Sequence, residues 1–124
     1  MRLERIDDER GRTWRVEIPE SFAERRRGLL GRKELEPGAA MLFPRARAVH
    51  TVGMAFPISV VFLDRTSRVI GVMRAPPGKR VLWRPRARHV LETAVDADVR
   101  VGDRFGYRPR RRAIRRRWIS DVPE

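Results

Sequence analysis

Residues 49–64 read VHTVGMAFPISVVFLD, and the segment ISVVFLD at its end decides the fold. In that segment apolar side chains occupy both faces of an extended chain, with positions 58, 60 and 62 on one face and 61 and 63 on the other. A strand that is apolar on both faces needs cover on both sides. The segment RVIGVM at 68–73 follows a short polar turn, so the two segments predict a central β-hairpin.

The same stretch contains histidine, serine and aspartate, the residue types of a nucleophilic catalytic triad. Ser59 and Asp64 are an odd number of positions apart, so on a regular strand they point to opposite faces, about 16 Å from each other. The imidazole of His50 cannot contact both. Ser59 also stands outside a GxSxG motif, the turn that exposes a catalytic serine. We therefore predict that Ser59 forms a hydrogen bond within the sheet, and we assign no catalytic residue.

The flanking segments predict more strands. Residues 3–7 and 13–18 surround a polar turn and predict a hairpin, in which the alternating Trp14, Val16 and Ile18 face the core. The remaining expectations are strands at 40–44, 48–52 and 89–95, a loop at 75–79, a turn at Gly102 and Asp103, and a candidate last strand at 104–107.

One short helix is predicted at 22–31. Ser21 and Glu24 have the spacing of a capping box, and a glycine near position 31 closes the helix. Phe22, Leu29 and Leu30 are expected to face the core. The arginines at 25–27 are expected to lie mostly in water.

These segments together predict an α+β fold that is mainly β, with a small antiparallel sheet or open barrel and one short helix. A chain of 124 residues has room for one compact domain, which we place at 1–107. Residues 108–124 form an arginine-rich, basic C-terminal tail that could be helical, with Pro109 at its first position and Ile114 and Trp118 on one side. Such a helix could bind phosphates or an anionic membrane surface. Alternatively, the tail could dock Trp118 on the domain or stay disordered.

Composition excludes several chemistries. The chain has no cysteine, so disulfides, thiolate nucleophiles and cysteine-ligated metals cannot form. The motifs GxxxxGK and GxGxxG and zinc-finger spacings are absent, so we predict no cofactor and no metal. No signal peptide and no apolar run of membrane-spanning length is visible, which favours a cytoplasmic protein.

The net charge of +13 is unevenly distributed: residues 1–64 hold 12 basic and 10 acidic groups, and residues 65–124 hold 17 and 6. The excess lies in 74–88 and 104–117, neither of which contains an acid. Such clusters can bind nucleic acid or another polyanion, and Trp83 could stack on a base. The codon usage of a GC-rich genome, which favours arginine, is an alternative explanation. The predicted polyanion contacts are Arg74, Arg80, Trp83, Arg84, Arg86, Arg110, Arg111, Arg112, Arg115, Arg116 and Arg117.

A ligand pocket is a second candidate site. Its predicted residues are His50, Thr51, Met54, Arg88 and Glu92. The turn after His50 is irregular enough to shape a pocket, and His89 could meet His50 if their strands are neighbours. Glu92 lies in a half-buried strand and needs a partner, so an ion pair with Arg88 or Arg74 is favoured over a general base.

Several segments resemble the domain-of-unknown-function 192 family. They are RRRGLLGRKEL at 25–35, GAAMLFP at 38–44, HTVGMAFPISVVFLD at 50–64, HVLET at 89–93 and VGDRF at 101–105. Residues matching positions that the family tends to keep are Gly28, Leu29, His50, Met54, Pro57, Ile58, Asp64, Glu92, Gly102 and Asp103. Ser59 stands where the family usually has aspartate, and Leu30 where it has methionine. The resemblance implies a mixed, β-rich fold and implies no reaction.

The favoured function from the sequence is a non-enzymatic binding module whose basic second half contacts an acidic partner, nucleic acid among the candidates. One alternative is a small-molecule-binding protein or enzyme with a pocket near His50 and Glu92. Another is a peripheral membrane protein that its basic tail holds at an anionic surface.

Overall fold

A computed structural model describes residues 1–109 of the chain. Its elements are β1 (Arg2–Asp7), β2 (Thr13–Ile18), α1 (Phe22–Arg27), β3 (Ala39–Pro44), β4 (Ala48–Val49), β5 (Ile58–Leu63), β6 (Val69–Ala75), β7 (Leu82–Trp83) and β8 (His89–Ala94). Six strands form one sheet in the order β1-β2-β3-β8-β5-β6, and β4 pairs with β7 separately. The predicted class, α+β and mainly β with one short helix, is confirmed. The predicted helical tail lies outside the described residues from position 110 onward.

The central hairpin forms as predicted. β5 pairs with β6 on one side and with β8 on the other, both antiparallel. All six residues of β5 are buried, which agrees with its apolar character on both faces. The hairpin of β1 and β2 is also confirmed, and Trp14, Val16 and Ile18 are buried.

One pair of strands departs from the antiparallel expectation: β2 and β3 are parallel. Parallel neighbours need a long crossover, because the chain must return to the end of the sheet from which it started. Residues 19–38, which include α1, provide that crossover. The sheet is therefore mixed.

The capping box at the start of α1 is confirmed. The Ser21 hydroxyl accepts a hydrogen bond from the Glu24 backbone N–H at 3.0 Å, and the Glu24 carboxylate accepts one from the Ser21 backbone N–H at 3.2 Å. The helix is shorter than predicted, because Gly28 ends it with φ 50° and ψ −127°. Leu29 is buried as expected, whereas the prediction for Phe22 was wrong: its side chain is 78% exposed, in the first turn of a surface helix.

The strand predicted at 48–52 ends after Val49, because the next residues bond to a loop. Thr51 exchanges backbone hydrogen bonds with Lys79 and Gly78, in the loop that follows β6. These contacts hold residues 50–54 against that loop. As a result β4 has only two residues, and it pairs with β7 outside the main sheet.

Both faces of the sheet are covered. One core contains Trp14, Val61, Leu91 and Phe105, and the opposite core contains Leu29, Met41, Phe43, Val60 and Val90. Residues 104 and 105 bridge to both edges of the sheet, with Arg104 beside Arg68 and Phe105 beside Asp8. The last strand predicted at 104–107 is therefore not a full strand. It consists of two isolated β-bridges, which connect the β1 edge of the sheet with the β6 edge. Among residues 1–109, no helix has the length and apolar character needed to cross a membrane.

Candidate functional site

A cavity of about 170 Å³ lies beside the core that contains Phe43 and Val90. Its walls come from the end of α1, from β3, from β4 with the loop after it, and from β8. The lining residues are Arg25, Arg26, Arg27, Gly28, Leu29, Leu30, Phe43, Ala46, Ala48, Val49, His50, Met54 and Glu92. The mouth is bordered by the exposed Arg26, Arg27 and His50 and by the half-buried Arg25, and the buried Glu92 lies at the floor.

Glu92 places a carboxyl group at the floor of this cavity, without a partner among residues 1–109. Its side chain is 3% exposed, and its neighbours across the strands are Met41 and Val60. No hydrogen-bond partner for the carboxyl group occurs within residues 1–109, and burial alone raises its pKa to about 8. At neutral pH the group is therefore protonated and can donate a hydrogen bond into the cavity.

The prediction that Glu92 forms an ion pair with Arg88 or Arg74 was wrong for both arginines. Arg74 lies on β6 opposite Ser59, and β5 separates β6 from β8. Arg88 is exposed just before β8, about 13 Å along the strand from Glu92, and does not line the cavity. The order of the strands, rather than the spacing along one of them, leaves the Glu92 carboxyl group without a cation among residues 1–109.

The end of α1 shapes one wall. Gly28 has a positive φ, and a Cβ added there would lie 3.4 Å from the ring of Phe43. This turn directs Leu29 into the core and Leu30 toward the loop after β4. Arg25 is half-buried, and burial together with the charge of Arg45 lowers its pKa. The arginines at 25–27 were expected to lie mostly in water, and Arg26 and Arg27 are exposed. That expectation did not include the cavity that all three residues line.

The remaining predicted pocket residues divide by role. His50 and Met54 line the cavity. Thr51 is fully buried and instead holds the loop: its hydroxyl donates to the Pro76 carbonyl at 2.7 Å and accepts from the Lys79 backbone N–H at 2.9 Å. The structure thus brings together His50, Met54 and Glu92.

His89 does not meet His50. It lies on the opposite face of β8 from Glu92, where its ring contacts Tyr107 edge-on at 5.3 Å and its Nδ1 accepts a hydrogen bond from the Arg45 backbone N–H. Burial, and then the charges of Arg45 and Arg88, lower the pKa of His89. A site shared by the two histidines is therefore excluded.

Ser59 and Asp64 have the separate roles that strand alternation predicts. The Ser59 hydroxyl donates to the Val95 carbonyl at 3.3 Å, just beyond the end of the neighbouring strand β8. The Asp64 carboxylate accepts hydrogen bonds from the backbone N–H groups of Thr66 and Arg68, so it closes the turn between β5 and β6. No triad forms among them.

A larger concavity lies elsewhere on the described part of the chain and is less specific. It is a groove of about 650 Å³ between β1, β2 and residues 32–36. Four of its charged groups form two ion pairs, Arg32 with Glu17 and Arg15 with Glu36. It contains no unpartnered buried polar group of the kind that Glu92 provides.

The predicted polyanion contacts within residues 1–109 belong to the segment 74–88. The pairing of β4 with β7 joins this segment to residues 44–53, and we call the two segments the basic face. Residues 44–53 and 74–88 hold eight basic groups and no acid. Arg74, Arg80 and Arg86 are exposed, Trp83 is 54% exposed, and Arg84 is half-buried with its guanidinium over the ring of Phe62. The predicted contacts from Arg110 to Arg117 lie outside the described residues.

The arginines of residues 1–109 divide into a paired and an unpaired group. Arginine ion pairs within this range involve Arg2, Arg10, Arg12, Arg15, Arg32 and Arg100. None of them belongs to the basic face or to the mouth of the cavity.

The fold and the cavity define a small β-rich domain that encloses a neutral carboxyl group. The chain belongs to the domain-of-unknown-function 192 family (DUF192, Uncharacterized ACR), whose model matches residues 4–106. Gly28, Leu29, His50, Met54 and Glu92, which are among the residues on which the resemblance was based, all line the cavity.

Relatives share this family and fold. A UPF0127 protein from Thermococcus sibiricus (strain DSM 12597 / MM 739) is 28% identical over 96 residues, which are 73% of this chain and 62% of that relative. A protein of unknown function from Novosphingobium aromaticivorans DSM 12444 has a TM-score of 0.72 at 21% identity, over 85% of each chain. A protein from Sinorhizobium meliloti 1021, described as "a putative transcription regulator", has a TM-score of 0.68 at 24% identity, over 82% of this chain and 88% of that one. The two solved structures show the fold alone.

Proposed function

We propose that this protein is a small-molecule-binding domain and that its ligand occupies the cavity above Glu92. The observation that carries the proposal is the buried carboxyl group, which faces the cavity without a partner among residues 1–109. A buried polar group without a partner costs free energy, and a ligand that bonds it removes that cost.

The dimensions of the cavity limit the ligand. At about 170 Å³ it is smaller than the roughly 300–1,000 Å³ of pockets for drug-sized molecules. A cavity of about 150 Å³ accommodates benzene. The ligand is therefore a small metabolite-sized compound rather than a nucleotide.

A fragment screen on the isotopically labelled protein tests this function. We expect small compounds to shift the backbone amide signals of Gly28, His50 and Glu92. Ala46→Leu fills the cavity and should abolish these shifts, whereas Ala23→Leu, on the exposed side of α1, should leave them unchanged. Fragments that bind only in the groove beside Arg32 would contradict the proposal.

The basic face favours a second function, contact with single-stranded nucleic acid. Exposed Trp83 offers a stacking surface among arginines that form no ion pair within residues 1–109, the combination that single-strand binders use. The exclusion of acids from residues 44–53 and 74–88 supports a polyanion over a protein of mixed charge.

Binding of an oligothymidine at several salt concentrations tests the second function. With about six phosphate contacts, affinity should fall roughly a thousandfold between 50 and 200 mM salt. Trp83→Ala and the double variant Arg80→Gln, Arg86→Gln should weaken binding. The matched control Arg15→Gln, Arg100→Gln removes the same charge from ion-paired positions and should weaken it less. Binding of anionic vesicles without binding of the oligonucleotide would refute the nucleic-acid function.

A further inference from the structure

We infer that the cavity takes a small organic acid: its carboxylate lies among the arginines at the mouth, and an uncharged oxygen at its other end accepts a hydrogen bond from Glu92. This inference rests on the proposed function and specifies the chemical class of the ligand. It follows from the different chemistry of the floor, the walls and the mouth.

The floor requires a hydrogen-bond acceptor. The Glu92 carboxyl group is buried between Met41 and Val60 and has no protein partner within the described part of the chain. A protonated carboxyl group donates one hydrogen bond, and a ketone, ether or hydroxyl oxygen can accept it without placing a charge in the core. A second carboxylate at the floor would be a buried anion without a cation beside it.

The walls require a short apolar body. Leu29, Leu30, Phe43, Val49 and Met54 line the cavity between floor and mouth. Their side chains offer no hydrogen bonds apart from the weak acceptor sulfur of Met54. The middle of the ligand is therefore hydrocarbon.

The mouth requires an anion. Arginines 25–27 line it, and none of them forms an ion pair within residues 1–109. Guanidinium groups bind carboxylates in a bidentate geometry. The same three charges repel an amine, which argues against a cationic ligand that would ionise Glu92.

The groups that face Glu92 across the cavity are the three arginines from α1 and His50 from the loop after β4. The neighbouring strands β3 and β5 contribute Met41, Phe43 and Val60, which do not titrate. Loss of the Glu92 proton is consequently the change that should weaken the ligand above neutral pH. Because the pKa is about 8, the protonated fraction falls about tenfold from pH 7 to pH 9.

Four probes of similar size test the inference by calorimetric or NMR titration of the full chain. The probe 4-oxopentanoate has both required groups, pentanoate lacks the acceptor, 2-pentanone lacks the carboxylate, and 5-aminopentanoate places a cation at the far end. We expect 4-oxopentanoate to bind at least tenfold more tightly than each of the others, and about tenfold more weakly at pH 9 than at pH 7. This pH effect should persist in His50→Gln.

Two variants separate donation from ionisation at Glu92. Glu92→Gln keeps a donor that cannot titrate, so it should bind 4-oxopentanoate with no loss between pH 7 and pH 9. Glu92→Leu removes the donor and should reduce the affinity for 4-oxopentanoate to that for pentanoate. An NMR spectrum of each variant checks that it is folded.

The failures are distinguishable. Preference for 5-aminopentanoate, or tighter binding at pH 9 than at pH 7, would overturn the inferred ligand class and leave the binding function standing. The same holds if other fragments shift the cavity amides and none of the four probes does. If no compound of any class shifts them, the proposed function and the inference both fail.

Discussion

Glu92 combines two properties that rarely occur together, near-complete burial and the absence of a charged partner in the described part of the chain. An ordinary glutamate carboxyl titrates near 4.5, and burial raises the pKa of this one to about 8. The folded protein therefore keeps a proton on Glu92 across a pH range in which the unfolded chain has released it. Folding and proton uptake are linked at this residue.

Stability should depend on pH through Glu92. Between about pH 5 and pH 8 the folded state binds more protons than the unfolded state, so the free energy of unfolding falls as pH rises, by about 1.4 kcal/mol per unit. Below about pH 4.5, Glu92 is protonated in both states and its ionisation costs no stability. Above about pH 8 the loss of stability stops growing, because both states have released the proton. Glu92→Gln removes it, so its stability relative to the wild type should increase from pH 5 to pH 8.

Urea unfolding at pH 5, 6.5 and 8 measures this effect. Glu34→Gln is the matched control, because Glu34 is an exposed glutamate away from the cavity. It should leave the pH dependence of the wild type unchanged. Parallel curves for the wild type and Glu92→Gln would show that Glu92 titrates normally in the folded protein.

At the scale of elements, the junction between α1 and its following turn determines the shape of the cavity. The helix is only six residues long, so its position depends on its two ends. The capping box fixes the first end. Gly28 fixes the second end, with a backbone conformation that residues other than glycine rarely adopt.

Gly28→Ala should destabilise the protein by about 1–3 kcal/mol, because alanine adopts the positive φ of this position only with backbone strain. It should also weaken binding in the cavity. Chemical denaturation and fragment titration measure the two effects. Gly11→Ala is the control: Gly11 also has a positive φ, but a Cβ there meets no atom within 4 Å. Equal fragment binding by the two variants would show that the turn does not shape the cavity.

At the scale of the whole molecule, residues 103–106 join the two edges of the sheet. The Phe105 backbone N–H donates to the Ser67 carbonyl at the β6 edge, and the Gly106 N–H donates to the Asp7 carbonyl at the β1 edge. The Phe105 ring packs 5.7 Å from the ring of Trp14. These contacts cover part of both free edges of the open sheet.

Phe105→Ala should cost about 3–5 kcal/mol of stability, because it leaves a void at the place where the two edges meet. Val101→Ala is the control; Val101 is 67% exposed, and its truncation should change stability by no more than about 0.5 kcal/mol. Thermal and urea unfolding measure both. A loss below 1 kcal/mol for Phe105→Ala would indicate that this closure contributes little.

The sequence by itself determined the features that depend on near neighbours. Alternation predicted the buried face of β2, the apolar character of both faces predicted the burial of β5, and Ser21 with Glu24 predicted the start of α1. Each signal lies within a few residues, because side-chain direction and capping are set by the local backbone. The same alternation excluded a triad of Ser59 and Asp64.

Only the tertiary structure decided what surrounds Glu92. Its expected partner Arg74 is two strands away because β5 lies between β6 and β8, an order that no local pattern encodes. The cavity joins Gly28 to Glu92 across distant parts of the sequence, and the parallel pairing of β2 with β3 brings α1 to that side. Burial and ionisation depend on all the atoms around a group, so the pKa of Glu92 follows from strand order and packing and not from the sequence next to it.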